Sequence, residues 1–289
     1  MYTENINDYI KISDEAAEVF RKTLKKVENS ELFAELADMI ERNALPFDEI
    51  RKKCDEYAQK LDVHEYTFLM TVLFANIGIA EKRYLEKGID RQVFLDTAED
   101  LYYKTEECKK THGVWGISVF LWYSFFFEAR LFKLGRLEFV PEYRKDHLVI
   151  GVHIPSCGPL RHEEVMDSYK RAYNFFGGRA KEPMIFSCCS YLLFSPYKGA
   201  VFANGTNTYR FVDDFFIVRD VSKDVFADAW RIFGRPYDGD VSVLPKETSM
   251  QRSFAAYLEK GGVCGIGTGG FLFDGEKIEK QEQLLKSIL

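Results

Sequence analysis

Near Gly135 the apolar residues of this chain change their spacing, and no other feature restricts its fold as much. Upstream they recur every three to four residues, as in helices that bury one face. Downstream they alternate or gather into β-branched runs, as in strands. The upstream spacing predicts a helix from Ser13 or Asp14 to about Val27, with Glu15 and Glu18 near its positive end. Leu32, Leu36, Met39 and Ile40 mark a second helix. Pro46 opens a third, with Ile50, Cys54, Tyr57 and Leu61 on one face. One helix is expected from His64 to Tyr84, another from Asp90 or Arg91 to Lys110, and a last one from about Val114 to Leu131. Roughly five or six helices with short connections suit a bundle or an orthogonal array.

Beyond Gly135, Arg136–Val140 and His147–Ile154 read as antiparallel strands joined by a turn around Tyr143–Asp146. Pro155–Leu160 is a tight loop and Arg161–Phe176 a helix. Met184–Phe194 is an apolar strand turning helical at its end, and Thr208–Val218 is a further strand. Val225–Phe233 is a short helix, and Thr248-Ser-Met-Gln251 has capping-box spacing for a helix to about Lys260. The glycine-rich stretch Gly265–Phe273 fits a last strand. The order predicts an α+β chain: a helical domain over residues 1–130, then a mixed α/β domain over residues 131–289.

Composition narrows the function classes. Apolar residues make up 46% of the chain and aromatics 15%, enough for a large core. A formal charge of −6 argues against nucleic acid as a partner. The six cysteines show no CxxC spacing, so reduced thiols in a cytoplasmic protein are the simplest reading. No His/Cys/Asp/Glu group has metal-ligand spacing, and no metal is expected. Met1–Asp14 is polar and acidic, unlike a targeting segment. The most apolar run, Ile117–Phe127, is about half of the ~20 residues a membrane span needs. No membrane partner is expected, and nothing in the sequence sets an oligomeric state.

The strand–loop–helix unit over residues 148–176 carries the most chemistry. Free N–H groups at a helix start, with the helix dipole behind them, make an anion site in which a pyrophosphate can sit. Ser156, Cys157, Gly158 and Leu160 are the candidate cofactor-binding positions. Pro159 removes one donor, and Glu163 and Glu164 repel anions, so an ordinary strand-to-helix connection is the plainer reading.

Several segments, in one order, resemble bacterial N-acyltransferases with a helical N-terminal domain and a GNAT-like C-terminal domain. They are His112-Gly-Val-Trp-Gly116, Leu134-Gly-Arg-Leu-Glu-Phe139, His153-Ile-Pro-Ser-Cys-Gly-Pro-Leu160, Cys188-Cys-Ser-Tyr-Leu-Leu193, Asn207-Thr-Tyr-Arg-Phe211, Leu244-Pro-Lys-Glu-Thr-Ser-Met-Gln-Arg252 and Gly267-Thr-Gly-Gly-Phe271. The resemblance covers about residues 112–273. It implies transfer of an acyl group from acetyl-CoA or another acyl-CoA to a small-molecule amine or peptide amine. The chain departs from the family in lacking the usual Gln/Arg-x-x-Gly-x-Gly/Ala cofactor-loop pattern, in lacking one loop glycine at Ser156-Cys157-Gly158, and in carrying Cys189 where the family has histidine. These departures leave open an alternative, a non-catalytic GNAT-like module for ligand binding or assembly.

His153, at the end of its strand beside the loop, is the candidate general base, since imidazole titrates near neutrality. Glu138 on the preceding strand is a candidate carboxylate, and Tyr191 a candidate proton donor to a leaving thiolate. The plainer readings are a hydrogen-bonded histidine, a paired strand residue and a core aromatic. Cys188 or Cys189 as a nucleophile would need a histidine within hydrogen-bond reach. Arg136, Arg210 and Arg252 lie in the shared segments and are candidates for a CoA phosphate or a substrate carboxylate.

Overall fold

The structure is a computed structural model that describes residues 6–177 and 182–289. Residues 1–5 of the polar N-terminal stretch lie outside the described residues. The chain divides into two compact units, Met1–Lys133 and Leu134–Leu289.

The first unit is helical. It contains α1 (Asp14–Val27), α2 (Glu31–Arg42), α3 (Phe47–Lys60), α4 (Glu65–Ala75), α5 (Ile77–Glu86), α6 (Arg91–Ala98), α7 (Asp100–His112) and the short α8 (Ser124–Phe127). Polar side chains take up orphan first-turn N–H groups: Ser13 accepts from Ala16, Ser30 from Phe33 and Asp90 from Gln92. α4 is buried along all of Thr67–Ala75, with α1 and α3 packed on it.

Three expected helices are divided. His64–Tyr84 breaks at Asn76, whose side-chain amide bonds the Val72 carbonyl at 2.8 Å and so competes with the backbone ladder. The Asp90–Lys110 helix breaks at Glu99, where Asp100 turns inward to accept from the Tyr123 hydroxyl at 3.0 Å. The segment expected as a helix over Val114–Leu131 holds a 3-10 turn at Phe120–Tyr123 and α8. There Gly116 lies so close to α4 that a Cβ would fall 2.4 Å from the Tyr66 carbonyl carbon.

The second unit carries β1 (Phe132–Leu134, which starts just before it), β2 (Leu137–Arg144), β3 (His147–His153), α9 (His162–Phe175), β4 (Met184–Ser190), α10 (Asn207–Asp213), β5 (Phe216–Lys223), α11 (Ala229–Phe233), α12 (Ser249–Glu259), β6 (Cys264–Phe273), β7 (Ile278–Glu279) and α13 (Glu282–Ile288). Among the described residues seven strands form one sheet in the order β1-β2-β3-β4-β6-β5, with β7 on β6. β2 and β3 form a hairpin through Lys145 and Asp146, both at positive φ (48° and 65°), the signature of a two-residue hairpin turn. α9 crosses from β3 to β4, which therefore run parallel. The strand expected over Thr208–Val218 is corrected. Thr206 accepts from the Tyr209 N–H and starts α10, and β5 begins only at Phe216. The expected capping box is present, with Thr248 and Gln251 bonded reciprocally at the start of α12.

The two faces of the sheet differ. Phe139, Phe186, Phe271 and Phe273 lie on the α9 face against Tyr169 and Tyr173, with Phe186 and Phe271 stacked at 5.3 Å. Each such buried ring contributes about 1.5–3 kcal/mol relative to exposure. The opposite face packs Val149, Ile185 and Leu272 against Leu285 and Ile288 of α13.

Candidate active site

On the α13 face the side chains change character along the strands. Val149 and Ile185 are apolar and sit under α13. Two residues further on, the paired level holds Gly151, Ser187 and Gly270. Two further still stand His153 on β3 and Cys189 on β4. Glu138 lies directly across β2 from His153, and Thr268 lies across β6 from Cys189. Residues two apart on a strand share a face, so Glu138, His153, Cys189 and Thr268 form one polar row. The Thr268 hydroxyl donates to Cys189 Sγ at 3.4 Å, which fixes the alignment of that pair.

The parallel ladder between β3 and β4 runs through Val149–Ile185, Ile150–Phe186 and Gly151–Ser187 and stops there. Both strands continue, to His153 and Ser190, so they part at the level of the polar row. Glu138 is 2% exposed and His153 is half-buried. Burial pushes the His153 imidazole down to about 4, so at neutral pH it is uncharged and can accept a proton. The missing side chain of Gly151 makes room for its ring: a Cβ there would lie 3.4 Å from His153 Nε2.

Pro155–Leu160 leads from β3 into α9. Gly158 has φ +123°, which L side chains rarely adopt, and a Cβ there would meet nothing within 4 Å. Ser156 is exposed, Cys157 half-buried and Leu160 buried. Beneath the loop lies Arg136, itself 9% exposed. Its Nη1 donates to the Pro155 carbonyl at 3.0 Å, its Nε to the Pro159 carbonyl at 3.0 Å, and its Nη2 to the Gly158 carbonyl. Its own N–H donates to Ser168 Oγ at 2.7 Å, and the Cys157 thiol approaches its carbonyl at 3.7 Å. α9 has no side-chain cap at Arg161. His162, its first residue, has a buried Nδ1 that makes no hydrogen bond among the described residues.

The structure thus brings Glu138 and His153 together and sets both beside the loop that holds Ser156, Cys157, Gly158 and Leu160. Tyr191 follows β4 at the same end of the sheet, in a 3-10 turn, with its ring 6.3 Å from those of Phe226 and Phe254. Cys188 points to the α9 face, where burial pushes its thiol far up, whereas Cys189 is exposed. Arg136 is a loop support and not a surface group. Arg252 donates to the carbonyls of Lys246 and Glu247, and Arg210 is exposed on α10. His112-Gly-Val-Trp-Gly116 proves to be a packing element: the Trp115 carbonyl accepts from Thr67, and the Ile117 N–H donates to the Tyr66 carbonyl. Sequence reading missed Thr268 and the loop-holding role of Arg136. Register was the needed signal for the first, and no local pattern signals the second.

Among the described residues no group of three or more His, Cys, Asp or Glu is placed to hold a metal ion. No described helix is long and apolar enough to cross a membrane.

A mixed sheet whose parallel strands part beside a loop and a helix start is the architecture of a GNAT-like domain, and residues 131–271 match the GNAT-like C-terminal domain. Residues 1–129 match the N-acyltransferase N-terminal domain. The chain belongs to the N-acyltransferase family that joins these two domains. Solved structures agree. An acyltransferase in complex with decanoyl-CoA is 17% identical, with a TM-score of 0.67 over 90% of this chain and 88% of that one. Complexes of an acyltransferase with decanoyl-CoA and teicoplanin, and with CoA and 10C-teicoplanin, are each 20% identical over the same shares, with TM-scores of 0.63 and 0.65. At these identities the likeness is one of fold. No curated protein matches the chain.

Proposed function

We propose that this chain moves an acyl group from the sulfur of an acyl-CoA, acetyl-CoA or a longer ester, to the nitrogen of a small-molecule amine or a peptide amine. The observation that carries the reading is the end of the β3–β4 ladder at Gly151 and Ser187, beside a loop that opens into the uncapped start of α9. An acyl-pantetheine arm can occupy the ladder positions the two strands no longer share. Its pyrophosphate then reaches the N–H groups and positive dipole end of α9. The solved acyltransferases of the same fold carry decanoyl-CoA or CoA, and two of them teicoplanin or 10C-teicoplanin, which supports an acyl-CoA donor here.

The polar row supplies the proton chemistry. The acceptor enters as a neutral amine and its lone pair attacks the thioester carbonyl carbon, forming a tetrahedral adduct with an alkoxide and a positively charged nitrogen. That nitrogen is a stronger acid than a free ammonium, and the uncharged His153 is the group proposed to take its proton, with Glu138 facing it across the strand pair. Collapse of the adduct breaks the carbon–sulfur bond, and Tyr191 is the group proposed to protonate the departing thiolate. No acyl-enzyme forms. Titration calorimetry with CoA, acetyl-CoA and decanoyl-CoA, followed by thiol release against a panel of amines, tests the reading. Binding of none of the three at millimolar concentration removes it.

A further inference from the structure

Resting on that reading, we infer that Arg136 is a positioning residue for the acyl-CoA site, holding the Pro155–Leu160 loop so that its amides face the cofactor's phosphates. All described peptide bonds are trans, so each carbonyl and the following N–H point in opposite directions. The guanidinium draws the carbonyls of Pro155 and Pro159 toward itself. The Ser156 and Leu160 N–H groups are therefore turned away from it, to the outer side of the loop. The third carbonyl held, that of Gly158, precedes proline and costs the outer side no donor. One buried side chain thus orients the loop as an anion cradle, continuous with the first turn of α9.

Charge acts in the same direction. Arg136 is buried, and its guanidinium is held by backbone carbonyls of the loop. These three side-chain partners are neutral carbonyls, so its positive charge lies beneath the loop without being neutralised by them. A guanidinium presents its donors in a fixed fork, which the single ammonium of lysine cannot reproduce. The nearby Glu163 and Glu164 oppose an anion, and the charge of Arg136 offsets them from the other side of the loop.

The test compares CoA with pantetheine, which lacks the phosphates. The parent should bind CoA more tightly than pantetheine, and R136M should lose about tenfold or more of CoA affinity with little change for pantetheine. R136K should fall between, since charge returns without the fork. A merely structural role would weaken both ligands together. Folded R136M and R136K that keep the parent's ratio of CoA to pantetheine affinity overturn this inference alone. A parent that binds no CoA overturns the acyl-CoA reading and this inference with it. Should both variants fail to fold, amide exchange in the parent decides: added CoA must slow exchange at Ser156 and Leu160, and unchanged rates there overturn the inference.

Discussion

The two faces of the sheet are made by the same strands and differ in the side chains they carry. On the α9 face aromatic rings continue from Phe139 through Phe186 to Phe273, and the strand ends are closed by the backbone of the turn after β4. On the α13 face the apolar packing ends at Val149, Ile185 and Leu272, then passes through Gly151, Ser187 and Gly270 to a polar row. A sheet with rings along one face and small, then polar, residues along the other carries packing on the first and titratable groups on the second. The sharpest break in this comparison is between neighbours on β6. A Cβ on Gly267 would fall 2.1 Å from the Leu193 carbonyl oxygen, a backbone atom that cannot move aside cheaply. Gly267→Val should cost more than about 3 kcal/mol or prevent folding. Thr268→Val, one residue on and facing the other way, should cost less than about 1.5 kcal/mol. Urea melts of the two variants measure both, and equal losses would show that the faces are not different in kind.

Reactivity should divide along the same line. His153→Gln should lower kcat by about a hundredfold with CoA affinity unchanged, the usual size of a lost general base. Glu138→Gln should lower it less. Tyr169→Phe, on the α9 face, should leave kcat as it was. Steady-state rates with one acyl-CoA and one accepted amine decide it, and a His153→Gln enzyme as fast as the parent would take the row out of the chemistry.

Much of this architecture is legible in the sequence, because periodicity reports one residue's burial at a time. The change of period near Gly135, the hairpin with Lys145 and Asp146 at its turn, and the Thr248–Gln251 capping box are all local signals. The misread segments turn on side-chain hydrogen bonds, which periodicity does not report. Asn76 breaks a helix by bonding Val72, and Asp100 marks another break by receiving Tyr123, 23 residues away. In the site, Glu138 and His153 can each be picked out by residue type and strand position. That they face one another is a matter of register. Thr268 is invisible until β6 is laid beside β4, and Arg136, read as a candidate for a CoA phosphate or a substrate carboxylate, is found holding loop carbonyls.

Acid and alkali should strain opposite faces. Asp214 contacts the Tyr169 hydroxyl behind the α9 face, and burial raises its carboxyl to about 7. A folded-state value above the unfolded one means stability that is full below about pH 4 and lost as pH rises through 7. Asp214→Asn should therefore melt higher than the parent at pH 8, by about 1–2 kcal/mol, and match it at pH 4. His153, on the α13 face, has the opposite sign: burial lowers it to about 4, so its contribution is intact above pH 6.5 and is lost as pH falls toward 4. His153→Gln should lessen the acid loss and leave pH 8 unchanged. Melting curves at pH 4, 6 and 8 test both, and an Asp214→Asn gain as large at pH 4 as at pH 8 would remove the carboxylate from the explanation.

The smallest expected effect lies in two adjacent residues. Cys188 and Cys189 are one peptide apart, so the pleat sends their thiols to opposite faces. Cys188 is 4% exposed among aromatic rings, and its thiol is pushed far above the ordinary range, so almost none is thiolate at pH 8. Cys189 is exposed and its sulfur accepts from Thr268. Iodoacetamide should therefore modify Cys189 in the native protein and reach Cys188 only after unfolding, which peptide mass mapping resolves. Alkylation adds bulk beside the polar row and should slow acyl transfer. Cys189→Ser keeps the size nearly constant and should change kcat by less than about threefold, within roughly 0.7 kcal/mol. The difference between blocking the thiol and replacing it separates a neighbour of the reaction from a nucleophile. A Cys189→Ser enzyme slowed a thousandfold would mean that the acyl group passes through the sulfur, and the direct attack of the amine would have to be given up.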